Sequence, residues 1–136
     1  LFRSSAASDV YKRQENGLRN KLDEIWGCEA TLYYPGKYAG AADCIGVYEN
    51  KETIIDFKQS NKPKKDEWIY DYYLQCAAYA MAHNTVYGSN INQGVILLCT
   101  KDNIFQRFII DGERFRNYQN QFMEKVEQFY TQRLVN

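Results

Sequence analysis

The sequence predicts an α/β fold in which a central sheet of about five strands is flanked by helices. Segments with helical and with strand-like spacing of apolar residues follow in the order helix, three strands, helix, two strands, helix. One strand is apolar on both faces near its start, which is typical of a central strand. A chain of 136 residues that is 45% hydrophobic suits one domain and can bury a core.

The N-terminal segment, LFRSSAASDVYKRQ, has no apolar periodicity and no signal-peptide core. Its string DVYKRQ back-translates into the end of a transposase adapter that is used for sequencing libraries. We therefore interpret residues 1–14 as a translated adapter on a metagenomic assembly and expect them to be disordered. Residues 15–136 are then a single domain whose natural N-terminus is truncated.

The first half of this domain is predicted to contain a helix and three strands. Apolar residues with helical spacing indicate a helix from Glu15 to Trp26. A short strand, Cys28–Tyr34, is followed by a proline–glycine break. Two further strands, Ala39–Val47 and Thr53–Lys58, form a predicted hairpin with a four-residue turn at 49–52.

The second half is predicted to contain two helices and two strands. A long helix runs from Glu67 to Tyr87 and is closed by Gly88. Strands Gln93–Thr100 and Ile104–Ile110 follow, and a last helix covers Gly112–Leu134. The apolar stripe of the long helix is predicted to comprise Ile69, Tyr72, Tyr73, Cys76, Ala77 and Ala80.

Charged side chains interrupt the apolar strands of the hairpin at Asp43, Asp56 and Lys58. A buried charge must be paired or must bind a metal. With the four-residue turn, Asp43 lies opposite Lys58, and alternation puts all three side chains on one face. The carboxylates are then diagonal neighbours, about 7–8 Å apart. They can converge on one divalent cation beside the ammonium, and the alternative is a structural salt bridge.

Composition argues against a membrane-spanning protein and gives no general basic field. The longest apolar run, Val95–Cys99, is far too short to span a bilayer, and the formal net charge is zero. The cysteines are scattered without metal-ligand spacing. We interpret them as buried thiols of a reducing, cytoplasmic compartment, with an iron–sulfur or disulfide role as the alternative, and expect no iron–sulfur cluster. They are Cys28, Cys44, Cys76 and Cys99.

The ordered set of Asp43, Asp56-x-Lys58 and Gln75-x-x-x-Tyr79 resembles the PD-(D/E)XK nuclease superfamily, in particular its RecB-like exonuclease branch with its phage members. The match extends from about Glu29 to the C-terminus. The resemblance implies a restriction-endonuclease-like core with a mixed sheet. It also implies metal-dependent hydrolysis of phosphodiester bonds, with Mg²⁺ or Mn²⁺ as cofactor.

The resemblance also implies roles for single residues. Asp43 and Asp56 would be metal ligands, with the backbone carbonyl of Phe57 as a third, and Lys58 would position the attacking water. Glu29 is the nearest candidate for an upstream acidic ligand. Its alternatives are a solvated strand residue, or a ligand in the lost N-terminus.

Further residues would contact the nucleic acid or orient it. Gln75 and Tyr79 match the motif that orients the strand end in this branch. Gln59 departs from the threonine usual after D-x-K, which puts a hydroxyl contact in doubt. The remaining candidates are phosphate contacts or a solvated loop at Lys62, Lys64 and Lys65, and base-stacking side chains at Trp68 and Tyr70.

The expected function is a metal-dependent DNA exonuclease that acts on single strands or frayed ends. The expected setting is phage or bacterial recombination, repair or replication, in the cytoplasm of a bacterial or phage-infected cell. The expected partner is DNA, preferably single-stranded. The alternatives are an endonuclease of the same superfamily, a non-catalytic nucleic-acid-binding module, and an inactive truncated fragment.

Overall fold

The structure, a computed structural model, describes residues 22–135. These residues form a five-stranded sheet with helices. A 3₁₀ turn at Asp66–Trp68 precedes the first helix. The other elements are β1 (Leu22–Tyr34), β2 (Tyr38–Tyr48), β3 (Lys51–Ser60), α1 (Tyr70–Tyr87), β4 (Gln93–Thr100), β5 (Phe105–Asp111) and α2 (Gly112–Val135).

The sheet has the order β1-β2-β3-β4-β5 and is mixed. β3 and β4 are parallel, while the other neighbouring strands are antiparallel. α1 connects the two parallel strands, which need a long crossover. The predicted α/β fold, a mixed sheet of five strands flanked by helices, is therefore confirmed. The interpreted adapter, residues 1–14, lies outside the described residues.

The predicted first helix, Glu15 to Trp26, is wrong where the structure describes it. Residues 22–26 belong to β1 and pair with the end of β2, as in Leu22↔Tyr48 and Ile25↔Gly46. Pairing with a neighbouring strand has overridden the helical spacing, and the side chain of Ile25 is more than half exposed. Residues 15–21 of this prediction lie outside the described range.

The β2–β3 hairpin has a two-residue turn instead of the predicted four-residue turn. Glu49 and Asn50 both have positive φ values, 49° and 66°, and Tyr48 pairs with Lys51. Two residues of positive φ give a turn whose twist matches that of the flanking strands. The register is therefore shifted by two residues from the predicted one. An even shift leaves each side chain on its face of the sheet.

Neither described helix is long and apolar enough to cross a bilayer.

The core lies on both faces of the sheet around β4, whose eight residues are all buried. One buried cluster packs under α1 and α2 and includes Ile54, Ile96, Tyr73 and Phe115. A second cluster on the other face is formed by strand residues, among them Cys44, Ile55, Val95 and Leu97.

Gly46 marks a close approach of β1 to β2. A Cβ atom on Gly46 would lie 2.0 Å from the carbonyl oxygen of Glu24 and 3.1 Å from the Cα atom of Ile25. We expect Gly46→Ala to lower the free energy of unfolding by about 2–3 kcal/mol, because backbone atoms must move to accept the methyl group. Urea unfolding followed by circular dichroism measures this.

Gly27 supplies the matched control for that substitution. A Cβ atom on Gly27 would meet the Cβ atom of Ala30 at 3.6 Å, an ordinary contact. Gly27→Ala is therefore expected to change the free energy of unfolding by less than about 1 kcal/mol. Equal effects of Gly46→Ala and Gly27→Ala would contradict the close approach of the strands.

Candidate active site

Asp56 and Lys58 lie near the end of β3 on the face that α1 covers. Ile54, two residues earlier, packs in the cluster under α1, so alternation directs Asp56 and Lys58 to the same side. The Nζ atom of Lys58 lies 2.8 Å from Oδ2 of Asp56. The strand therefore presents an ion pair beneath α1.

Asp43 joins this pair at the point where β2 separates from β3. The pairing of β2 with β3 ends at Cys44↔Ile55. Beyond it, the backbone N–H of Phe57 donates a hydrogen bond of 2.9 Å to Oδ2 of Asp43. The carboxylate thus takes the place of a backbone acceptor. The predicted meeting of Asp43, Asp56 and Lys58 is observed, although the register behind it differs.

The carboxyl of Asp56 is held in an unfavourable electrostatic environment. It is only 6% exposed, and burial raises its pKa to about 7, helped by a hydrogen bond with Asp43 and opposed by Lys58. Its Oδ2 atom is ion-paired with Lys58, yet no donor in residues 22–135 is aligned on it for a hydrogen bond. A buried carboxylate oxygen with this deficit favours a cation.

The donor set fits a hard divalent cation. Mg²⁺ and Mn²⁺ prefer carboxylate oxygens such as those of Asp43 and Asp56, and backbone carbonyl oxygens such as that of the predicted ligand Phe57. Glu29 is exposed, has a φ of 51° and lies level with Asp43 on β1. Within the described residues, no three His, Cys, Asp or Glu side chains are grouped to bind a metal, so Glu29 does not complete such a group.

Lys58 remains positively charged at all ordinary pH values. Burial lowers its pKa, but the ion pair with Asp56 at 2.8 Å and the charge of Asp43 outweigh burial, so the pKa is raised. The ring of Tyr72 lies 4.8 Å from Nζ of Lys58. The ammonium is thus fixed between carboxylates and an aromatic face.

Gln75 and Tyr79 extend the cluster along α1. Nζ of Lys58 donates to Oε1 of Gln75 at 3.4 Å, and Nε2 of Gln75 donates to the hydroxyl of Tyr79 at 3.0 Å. The Tyr79 ring rests on Gly40 of β2, where a Cβ atom would lie only 2.6 Å from Cε1 of the ring. The structure therefore brings all five predicted catalytic residues into one connected group.

The predicted phosphate-contact lysines lie in the loop after β3. Lys62 and Lys65 are exposed, and Lys64 is half-buried. The amide side chain of Gln106 accepts from the N–H of Lys64 and donates to its carbonyl oxygen, both at 2.8 Å. The loop backbone is therefore anchored to β5, and only Lys64 of the three is drawn toward the body of the domain.

The two predicted stacking residues differ in their surroundings. Trp68 is 61% exposed, and Nζ of Lys65 lies 5.4 Å from its ring. Tyr70 is 37% exposed and donates a hydrogen bond of 2.6 Å to Gln121 on α2. Trp68 is thus largely exposed with a cation over its ring, whereas Tyr70 is tied to α2.

Two residues of the group were not predicted as site residues. Tyr72 was assigned to the apolar stripe, but it lies three residues before Gln75 on α1, and this spacing could have placed it beside the site. Gly40 carries no signal in the sequence, because its contact with Tyr79 depends on how α1 crosses β2.

Known proteins that are similar to this chain in sequence are named as exonucleases. No family model matches the chain. Mitochondrial genome maintenance exonuclease 1 of Homo sapiens is 33% identical over 103 residues, which cover 73% of this chain and 30% of the human protein. The Mus musculus protein of the same name is 33% identical over 127 residues, which cover 88% of this chain and 37% of the mouse protein.

A solved structure shows the same fold. A candidate exonuclease from Eubacterium rectale superposes with a TM-score of 0.58 at 17% identity, over 94% of this chain and 51% of that chain. The chain spans about a third of the length of the curated relatives that it matches. It is thus a relative of the mitochondrial genome maintenance exonucleases, with the fold and the ordered site motif of the PD-(D/E)XK nucleases.

Proposed function

We propose that the protein is a divalent-metal-dependent exonuclease that hydrolyses phosphodiester bonds in DNA. The observation that carries this proposal is the meeting of Asp43 and Lys58 at the buried carboxyl of Asp56, whose Oδ2 atom accepts no aligned hydrogen bond from a described residue. The relatives named as exonucleases support it.

The side chains of this group have distinct tasks in the proposed reaction. The carboxylates of Asp43 and Asp56, with the carbonyl of Phe57, would bind Mg²⁺ or Mn²⁺. When bound, the cation supplies Lewis acidity, which activates water and offsets charge on the phosphate. The ammonium of Lys58 orients the water and stabilises the negative charge that develops on the phosphate oxygens.

The remaining residues keep this ammonium in place and guide the strand. Gln75 accepts from Lys58 and is itself held by Tyr79. The exposed ring of Trp68 beside Lys65 suits stacking with an unpaired base, which supports a preference for single strands or frayed ends. We propose phage or bacterial recombination, repair or replication in the cytoplasm as the setting, in keeping with four free thiols in the described residues.

Gly40→Ala is expected to lower kcat about tenfold, because the new methyl group displaces the Tyr79 ring and weakens its hydrogen bond to Gln75. Initial rates on a labelled single-stranded oligonucleotide measure this. Ala41→Val is the control, since Ala41 is the next residue of β2 and is exposed. If both variants match the wild type, Tyr79 does not position the site.

The proposal is tested with end-labelled single-stranded DNA in linear and circular form, with Mg²⁺, with Mn²⁺ and with chelator. We expect linear strands to be degraded from an end in either metal and to persist in chelator. Circular strands cut as fast as linear ones would indicate an endonuclease. Binding of DNA without cleavage in any metal would indicate a binding module and overturn the proposal.

A further inference from the structure

A cavity of about 490 Å³ lies next to the candidate active site. It is formed where the parallel strands β3 and β4 end side by side, with Ser60 paired to Thr100. The carboxyl ends of neighbouring parallel strands are a common place for ligands in α/β sheets. The cavity therefore has a position that favours binding.

The charge of this cavity favours an anion. Lys64 and Lys101 line it together with polar side chains such as Gln59 and Asn61. None of the described residues that line it is acidic. Two ammonium groups without a carboxylate attract a phosphate group.

Tyr72 connects the cavity with the catalytic group. Its ring lies 4.8 Å from Nζ of Lys58 and also forms part of the cavity wall. A nucleic-acid strand bound at Lys58 would thus have its neighbouring nucleotide beside Tyr72. An aromatic ring at such a point can pack against a base or a sugar.

The walls of the cavity are already held in place. Gln106 anchors the backbone of Lys64 through two hydrogen bonds of 2.8 Å. On the other side, the N–H of Ile104 donates to the side-chain oxygen of Thr100 at 3.0 Å, which fixes the turn that carries Lys101. A preformed cavity loses little conformational entropy when it binds a ligand.

We propose that this cavity is a subsite for the nucleotide next to the scissile phosphate, in which Lys64 and Lys101 bind that nucleotide's phosphate and Tyr72 packs against its base or sugar. The proposal rests on the nuclease function proposed above. It assigns a substrate contact to Lys101, which lies about forty residues from the predicted basic loop in the sequence.

The test compares the wild type, Lys101→Gln and the double variant Lys64→Gln/Lys101→Gln on a labelled single-stranded oligonucleotide. We expect KM to rise about fivefold in the single variant and more than about twentyfold in the double variant, with kcat within about twofold. The dependence of log(kcat/KM) on log salt should weaken by about one for each lysine removed.

Lys51→Gln is the matched control. Lys51 begins β3 at the opposite end from the cavity, about 30 Å away along the strand, and its surface ion pair with Asp111 contributes little. Its KM and salt dependence should equal those of the wild type. Lys101→Gln behaving like Lys51→Gln would overturn the subsite.

Two further experiments extend the test. The first identifies whether the cavity binds a backbone phosphate or a terminal phosphate, and the second separates the subsite proposal from the proposed nuclease function. Oligonucleotides with and without a terminal phosphate are compared. If Lys101→Gln raises KM for both oligonucleotides, the cavity binds a backbone phosphodiester. If Lys101→Gln raises KM only for the phosphorylated oligonucleotide, the cavity binds a terminal phosphomonoester. Fluorescence anisotropy with the same oligonucleotides measures binding without turnover. Weaker binding by Lys101→Gln would thus support the subsite even if the wild type cleaves no DNA.

Discussion

Asp56→Asn is expected to lower cleavage by about a thousandfold or more while making the metal-free protein more stable at pH 8. The activity falls because the amide is a poorer metal ligand than the carboxylate. The stability rises because the buried carboxylate is costly: the pKa of Asp56 is raised from 3.8 to about 7, mainly by burial. Catalytic need and folding stability thus oppose each other at this side chain.

The pH dependence of this gain has a defined sign. A raised pKa of an acid means that stability is complete at low pH and is lost as pH rises through the folded-state value. The wild type in chelator should therefore lose stability between about pH 4 and pH 8, whereas Asp56→Asn should not. At pH 8 the gain is on the order of 1–4 kcal/mol, reduced because Lys58 loses its partner.

Thermal unfolding in chelator at pH 4.5 and pH 8, together with initial cleavage rates in Mg²⁺, measures both effects. Asp71→Asn is the matched control, because Asp71 is exposed at the start of α1. Asp71→Asn should cleave DNA at the wild-type rate. Its stability relative to the wild type should be the same at pH 4.5 and at pH 8. A loss of stability at pH 8 in Asp56→Asn would contradict the strained environment of this carboxylate.

Lys58→Met is expected to lower kcat by about a hundredfold to ten-thousandfold, while KM changes much less. The methionine keeps the length of the side chain but removes the charge beside the developing phosphate charge. It also removes the cation that lowers the pKa of Asp56, so the activity that remains should shift to higher pH. Single-turnover rates between pH 6 and pH 9 measure both effects.

Lys37→Met removes a lysine from the exposed β1–β2 turn and serves as the control. It should leave kcat, KM and the pH profile unchanged. If Lys58→Met retained a tenth or more of the wild-type kcat, Lys58 would be a structural partner of Asp56 and would have no part in the reaction.

The meeting of the charged residues in the candidate site could be predicted from the sequence because these residues interrupt apolar strands. Asp56 and Lys58 are two apart in β3, so they share a face in any register. The turn was predicted two residues too long, but an even error leaves faces unchanged. The meeting of Asp43 with this pair was therefore robust to a wrong turn.

The irregular part of the site could not be predicted. Ala42 and Ile45 both pack in the cluster under α1, although they are an odd number of residues apart, and Cys44 belongs to the other face. Strand alternation is thus reset at Asp43, level with the positive φ of Glu29 on β1. This change in side-chain alternation depends on the pairing of β1 with β2, so it cannot be recognised from the sequence of either strand alone.

The first strand illustrates a different limit. Residues 22–26 have the spacing of a helix, yet they pair with β2 beside Gly46, where only a glycine leaves room for the β1 backbone. Local periodicity could not reveal this contact between residues far apart in sequence. The same holds for Gly40 and Tyr79, whose contact arises from the packing of α1 on β2.

The central claim is that Asp43 and Asp56 bind a divalent metal ion. The most direct test uses electron paramagnetic resonance to measure the binding of Mn²⁺ to the DNA-free protein. We expect that the wild type binds Mn²⁺ and that Asp43→Asn and Asp56→Asn each weaken this binding about thirtyfold or more, while Asp71→Asn does not. Equal Mn²⁺ binding by the wild type and all three variants would contradict a metal centre built from Asp43 and Asp56.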